Sequence, residues 1–321
     1  MKNRTKILCT LGKKTINKKF LSFLNNKASL IRINLSHVSI NNLKKNIISI
    51  KKYSSVPICI DTEGAQIRTK VKKQKKYIAG SLGYIYKNRK NFHLYPDYVF
   101  DQINKRDILE IGFDNLKIKI LKKFTNKILF KTLVSGNLEN NKGVHLTKRK
   151  IKLKFLTNKD FRAIEIAKKL KIRHFALSFT NNHLDIKKFN LLLPKETKIF
   201  KIETKNAVKN LKQMFRFGKY FLIDRGDLSK EISIEKIPEV QRYIFNKAKK
   251  FKKVKIYVAT NYLESMIEKP YPTRAEANDI YNSLEMGADG IVLAAETAIG
   301  KFPMKSVIFL KKMINIYHKK N

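Results

Sequence analysis

Two short hydrophobic runs end abruptly in charge. Residues 199–203 read IFKIE, and residues 221–228 read FLIDRGDL. If the two runs are sequential strands of one sheet, Glu203 and Asp227 lie at matching height and face one spot. Two carboxylates in a dry site repel each other and take up a proton unless a cation lies between them. A hard divalent ion that keeps positions open for substrate oxygens and water, Mg²⁺ or Mn²⁺, is the natural occupant. The alternative is a solvated turn with Glu203 and Lys201 in a solvent-facing ion pair, which contributes little. Gly226 lets backbone approach a ligand, and a helix opening after Arg225 would offer N–H groups to an anion. With Arg32, Arg68 and Lys201 added, positive charge surrounds a metal, as phosphoryl transfer requires while charge spreads over the moving oxygens.

These residues need a scaffold that gathers them, and the chain supplies a regular one. Eight apolar runs bounded by turn residues occupy 5–12, 29–37, 56–64, 173–180, 197–203, 219–226, 254–261 and 289–297. Nearly continuous apolar runs are what parallel strands buried on both faces look like. The segments between them carry helical spacing, as in KDFRAIEIAKKL (159–170) and AEANDIYNSLEMG (275–287), the latter closed by a glycine. The predicted fold class is α/β, a TIM (β/α)8 barrel; a doubly wound open sheet is the structural rival. Residues 70–142 differ in texture, with short alternating β-rich runs separated by Lys, Asn, Asp and Gly. They are expected to form a small all-β lid domain inserted after the third strand, leaving 1–69 and 143–321 as the barrel. In such a barrel chemistry gathers at the C-terminal ends of the strands. Those ends carry Arg32, Asn34, Ser36 and His37; Asp61 and Thr62; Lys201 and Glu203; Arg225 and Asp227; Thr260; and Glu296.

Composition bounds the remaining possibilities. The chain has 321 residues, 70 of them basic against 25 acidic, for a net charge of +45. Lysine dominates, 58 against 12 arginines, and it is scattered through every segment together with abundant Asn and Ile. That pattern fits a drift toward AT-rich codons, with generic phosphate attraction at low salt and no specific nucleic-acid partner. Cys9 and Cys59 sit in apolar runs without CxxC spacing, as buried hydrophobes in a reducing compartment do. No run approaches the roughly 18 apolar residues of a membrane span, and the first residues are too short in apolar content for a signal peptide. A cytoplasmic location with no membrane partner is expected.

In order along the chain, TKILCTLG, IRINLSH, DTEGAQIRT, KGVHL, ALSF, FKIE, DRGDL and the long block VATNYLESMIEKPYPTRAEANDIYNSLEMGADGIVLAAETA identify a resemblance to the pyruvate kinase family. The resemblance implies a TIM barrel with a β-barrel lid and phosphoryl transfer from phosphoenolpyruvate to ADP, giving pyruvate and ATP. It also implies a divalent ion, commonly K⁺ as well, and possible homo-oligomers. By motif match, Glu203 and Asp227 hold the divalent ion, Lys201 and Arg32 stabilise the moving phosphoryl group, and Thr260 belongs to the face where the enolate is protonated. The backbone around Arg225, Gly226 and Asp227 receives the substrate carboxylate. Asn34, Ser36, Asp61 and Thr62 match the K⁺ ligands, and Asn34, His37, Arg68 and Lys142 match nucleotide contacts.

Several positions depart from the family pattern. Lys13 replaces a usual proline; in DTEGAQIRT, Glu63 replaces lysine, Ala65 proline and Gln66 glutamate. The last carboxylate is associated with K⁺ dependence, so its loss puts that requirement in question. Phe113-Asp114-Asn115 stands where DDG is usual, Asp224 where a small residue is usual, and Ala294-Ala295 where Ser-Gly precedes Glu296. The family's C-terminal domain is missing from the sequence, which predicts a two-domain enzyme without family-type allosteric control. The substitutions also suggest a rival, a catalytically impaired paralogue that keeps the fold and binds ligand, and the charge leaves a third and weaker alternative, a basic nucleic-acid-binding protein.

Overall fold

The computed structural model describes residues 5–87, 91–112 and 116–320. Its contacts divide the chain into two units, Met1–Gly64 with Asn158–Asn321, and Ala65–Thr157.

In the first unit eight parallel strands close into a barrel. They are β1 (Lys6–Thr10), β2 (Leu30–Asn34), β3 (Ile58–Asp61), β4 (His174–Leu177), β5 (Thr197–Ile202), β6 (Tyr220–Asp224), β7 (Lys255–Ala259) and β8 (Gly290–Leu293). Each pairs with its sequence neighbours, and β8 closes on β1 through pairs such as Cys9 with Leu293. The open-sheet rival is thereby excluded. The strands are shorter than their apolar runs because the backbone swings left-handed just past several of them. Phe179 beyond β4 has φ 53°, and Thr260 beyond β7 has φ 82°. Neither continues an extended strand.

Helices fill the outer ring by ordinary amphipathic logic. The helix Ile40–Tyr53 buries Leu43, Ile47 and Ile50, one stripe at helical spacing, and Ser39 caps its start. The helix Arg274–Glu285 begins at a capping box in which Thr273 and Glu276 satisfy each other's backbone N–H groups. Gly287 follows it at φ 100°, a conformation that favours glycine.

Inside the barrel, side chains alternate with period two. Leu8, Leu30, Cys59, Ala176, Ile199, Leu222, Tyr257 and Val292 form one apolar layer. Two residues further along, the same strands place Thr10, Arg32, Asp61, Ser178, Lys201 and Asp224, all buried. A greasy floor thus carries a polar ring, and the strand period alone puts it there.

The second unit is a seven-stranded antiparallel sheet with a two-stranded ribbon. Its strands Leu116–Lys123 and Lys127–Val134 alternate buried and exposed residues, with Ile118, Ile120, Ile128 and Phe130 inside. That is the signature of a sheet with one face on a core and one in water.

Candidate active site

The polar ring is a network of buried charge. Asp61 at the end of β3 pairs with Arg32 of β2 at 2.5 Å, and Arg32 Nε also donates to it at 2.7 Å. Arg32 Nη1 donates to the Thr10 hydroxyl at 3.2 Å. Lys201 Nζ lies 2.6 Å from Glu203 Oε1, 3.2 Å from Asp224 Oδ2 and 3.5 Å from Asp61 Oδ2. It also donates to Ser178 Oγ at 3.3 Å, which in turn donates to Asp61 at 3.2 Å. The Lys201–Glu203 pair weighed above as a surface contact therefore exists but does not face solvent: the residues are 3% and 1% exposed.

Burial and mutual charge set the protonation states. Burial alone would lower Lys201, but Asp61, Glu203 and Asp224 outweigh it and hold the ammonium well above the ordinary lysine range. Arg32 is pushed up against its burial by Asp61 and Asp224. Burial raises Glu203, Lys201 pulls it back, and Asp227 and Asp224 raise it further, leaving it up at about 8. Burial would also raise Asp224, yet Lys201 and Arg32, with the Thr260 hydroxyl, hold it down at about 2.

Three carboxylates converge here. One oxygen each from Glu203, Asp224 and Asp227 lies within 4.8 Å of the others. Asp227 reaches the group from the first turn of the helix Arg225–Glu231, which opens directly at the end of β6. Glu203 follows β5, and its Oε2 accepts the Phe179 N–H at 2.6 Å. The Asp224 oxygens are taken by Thr260 and Lys201, which leaves Glu203 and Asp227 as the pair whose spacing suits a hard divalent ion.

Thr260 stands across the ring and donates its hydroxyl to Asp224 Oδ1 at 2.7 Å. The Arg225 side chain holds Thr260 in its left-handed conformation: Nε and Nη2 donate to the Thr260 carbonyl at 3.2 and 2.6 Å. The same guanidinium pairs with Asp279 at 2.8 Å and lies over the Tyr262 ring, 4.2 Å from its centroid. Arg225 is thus committed to structure through its side chain. Gly226 is needed because a Cβ there would meet Thr260 Cγ2 at 2.9 Å.

The side chains matched to K⁺ are held differently. Both Asp61 oxygens have partners within the ring. Asn34 Oδ1 accepts the Ser36 N–H at 2.9 Å, and Thr62 Oγ1 accepts the Ser178 N–H at 3.0 Å. Among the nucleotide matches, His37 ends a short 3-10 turn beyond β2 and is exposed. Arg68 and Lys142 belong to the second unit, where Arg68 Nη1 donates to the Asn141 carbonyl at 3.3 Å and Lys142 pairs with Glu139 at 2.7 Å. Glu296, one of the strand-end candidates, is consumed by backbone: it accepts N–H groups from Leu263 at 3.0 Å and Ala294 at 2.7 Å.

A family model described as pyruvate kinase, barrel domain, matches residues 2–307. A pyruvate kinase of Thermotoga maritima is 30% identical over 98% of this chain and 71% of its own length. One from Methanocaldococcus jannaschii is 32% identical over 98% of this chain and 70% of its own. A third, from Buchnera aphidicola, is 32% identical over 97% and 69%. The chain belongs to the pyruvate kinase family.

Against the pyruvate kinase pattern, the departures now have surroundings. Glu63 pairs with Lys159 at 2.8 Å, and Asp160 accepts the N–H groups of Glu63 and Gly64 at 2.7 and 3.1 Å, so that loop is fixed by a local substitute network. Gln66 packs against Gly143, where an added Cβ would come within 3.0 Å of its Nε2. Lys13 is exposed, and nothing in the structure explains it. Phe113-Asp114-Asn115 lies outside the described residues. Asp224 is the departure that enters the ring itself. In the sequence it shows only as a departure from a usual small residue, and its alternation with Leu222 points it inward. Ser178 and Thr10 were missed because a lone hydroxyl in a strand carries no pattern.

Proposed function

We propose that the chain transfers a phosphoryl group from phosphoenolpyruvate to ADP, giving pyruvate and ATP. The observation that carries this reading is the convergence of Lys201 and Arg32 with Glu203 and Asp227 in one buried ring, in a chain of the pyruvate kinase family. Glu203 and Asp227 are the residues that would hold a divalent ion, Mg²⁺ or Mn²⁺. When bound, such an ion supplies positive charge to the substrate's phosphoryl and carboxylate oxygens.

The remaining work falls to the chain's own side chains. Lys201 and Arg32 bring two permanent cations into a dry site, where neutralising the charge spread over the transferring oxygens is worth more than in water. The bond from phosphorus to the enol oxygen breaks as that to an ADP oxygen forms. The released enolate then takes a proton at carbon, on the face to which Thr260 brings its hydroxyl. The backbone from Arg225 to Asp227 receives the carboxylate by motif match. Asn34 and His37 are assigned to the nucleotide on the same ground, as are Arg68 and Lys142. No step is assigned to a monovalent cation: Asn34, Ser36, Asp61 and Thr62 are matched to it by motif alone, and Gln66 stands where the carboxylate associated with that dependence is usual.

A second reading is a chain that binds these ligands without turning them over. It is favoured by the surroundings of Lys201, whose charge is already met by three carboxylates. A coupled assay for ATP formation from phosphoenolpyruvate and ADP with Mg²⁺, run over a K⁺ series, separates the two. The phosphotransfer reading expects ATP at one K⁺ level at least, the series reading out the K⁺ dependence, and no ATP at any level rejects it.

A further inference from the structure

The Asp224 carboxylate has no structural task that accounts for it. It precedes the helix Arg225–Glu231 but makes no capping hydrogen bond to it. Its oxygens go to the two flanking strands instead, one to Thr260 Oγ1 just past β7 at 2.7 Å and one to Lys201 Nζ of β5 at 3.2 Å. Lys201 has two further carboxylates beside it, Glu203 at 2.6 Å and Asp61 at 3.5 Å. The ring holds two cations, Arg32 and Lys201, against four acidic side chains, Asp61, Glu203, Asp224 and Asp227. With every acid ionised the ring carries net negative charge inside a chain whose total is +45. A divalent ion brings such a ring only to neutrality. With a neutral residue at 224 the same ion would leave it positive.

We propose that Asp224 is a specificity-determining residue: an anion built into the chain, seated on Lys201 and Thr260 where a substrate anion would otherwise be held, so that the site takes an anionic ligand weakly and only after a divalent cation. This rests on the phosphotransfer reading for the identity of the ligand. The physical claim is narrower. Placing a fixed negative charge against the donors that an anion needs lowers that anion's affinity, more steeply in a buried site than in water.

The test is calorimetric titration of the full chain and its Asp224→Ala and Asp224→Asn variants, each shown to unfold cooperatively. The probes are Mn²⁺ alone, then oxalate and phosphoenolpyruvate at saturating Mn²⁺. Oxalate affinity should rise by about tenfold or more in both variants. Mn²⁺ affinity should fall by less than about tenfold, the effect of losing one nearby negative charge and not a ligand atom. Unchanged or weaker oxalate binding in both variants overturns the proposal. So does a loss of Mn²⁺ affinity of about tenfold or more, which would make Asp224 a metal ligand. ATP formation by the unmodified chain is measured alongside. Turnover with no gain in oxalate binding sinks this proposal alone. A gain in oxalate binding without turnover sinks the phosphotransfer reading and leaves the role of Asp224 standing.

Discussion

The buried ring of the barrel and the surface ion pairs of the inserted sheet hold their charges in opposite ways. In the barrel, Lys201 is 3% exposed and meets three carboxylates. In the inserted sheet the pairs Lys87–Asp101 and Lys117–Glu110 lie at the surface, with side chains between 35% and 59% exposed. The contacts are of one kind, and Lys201–Glu203 at 2.6 Å is nearly as long as the two surface pairs at 2.7 Å, yet their consequences differ. A surface pair exchanges hydration for a weak, screened attraction and contributes about 0–1 kcal/mol. In a buried ring each charge has lost its water, and every partner is needed to compensate. Acidic residues are scarce here, 25 in the chain, and a tight group of them in one barrel mouth stands apart from the scattered surface lysines.

The sharpest way to break this contrast is Lys201→Met. Turnover should fall by about 10³-fold or more. The loss should also reach stability, by about 3–5 kcal/mol, because Glu203 and Asp224 lose the ammonium that pairs with them while Asp61 keeps only Arg32. Thermal unfolding checks this, and Mg²⁺ should restore part of the lost Tm. A Tm equal to the parent's with no added metal would mean the ring is wetter than its burial indicates.

Next in size is Glu203→Gln, which keeps shape and removes charge. Mn²⁺ affinity should drop by about tenfold or more by direct titration, and an unchanged titration would remove Glu203 from the metal centre.

Within the inserted unit, Arg149 grips Asp107 through two bonds, Nε at 2.8 Å and Nη2 at 2.5 Å. Burial would raise Asp107, but the hydrogen bond from Arg149 and the Asn104 N–H hold it below the ordinary carboxylate range. A depressed carboxyl stabilises the fold above its unfolded value and loses that contribution as pH falls through its folded value. Arg149→Ala should therefore cost about 1 kcal/mol at neutral pH, and the difference from the parent should vanish in acid. Denaturant melts at neutral pH and below pH 3 test it, and a difference that persists in acid argues for lost packing.

The smallest effect is expected for Lys117→Ala, within about 0.5 kcal/mol by the same melts. A larger cost would erase the distinction between the two units.

The barrel was legible because its signal is redundant. Eight apolar runs with amphipathic segments between them leave few other closures, and the alternating runs of the insert announce a different sheet. The candidate site was legible where charge interrupts a hydrophobic run, as at Lys201, Glu203 and Asp227. It was opaque where a role depends on a partner far along the chain. Arg225 looks like a ligand residue beside Gly226, but Asp279, its partner on another helix, takes its guanidinium. Asp224 was visible as an oddity without its meaning, since only the closed barrel shows that Lys201 and Thr260 are its neighbours.

The backbone crank at Thr260 and Asn261, with φ of 82° and 60°, links the site to the history of the chain. A β-branched residue in that conformation costs on the order of 1–3 kcal/mol and persists only under outside restraint. The restraint comes from Arg225, itself clamped by Asp279, and these belong to segments made at different times during synthesis. A nascent or half-assembled barrel would carry every residue of the site and still lack its shape. Until the helix bearing Asp279 docks, the Arg225 guanidinium has no carboxylate to fix it, and the conformation of Thr260 loses that restraint.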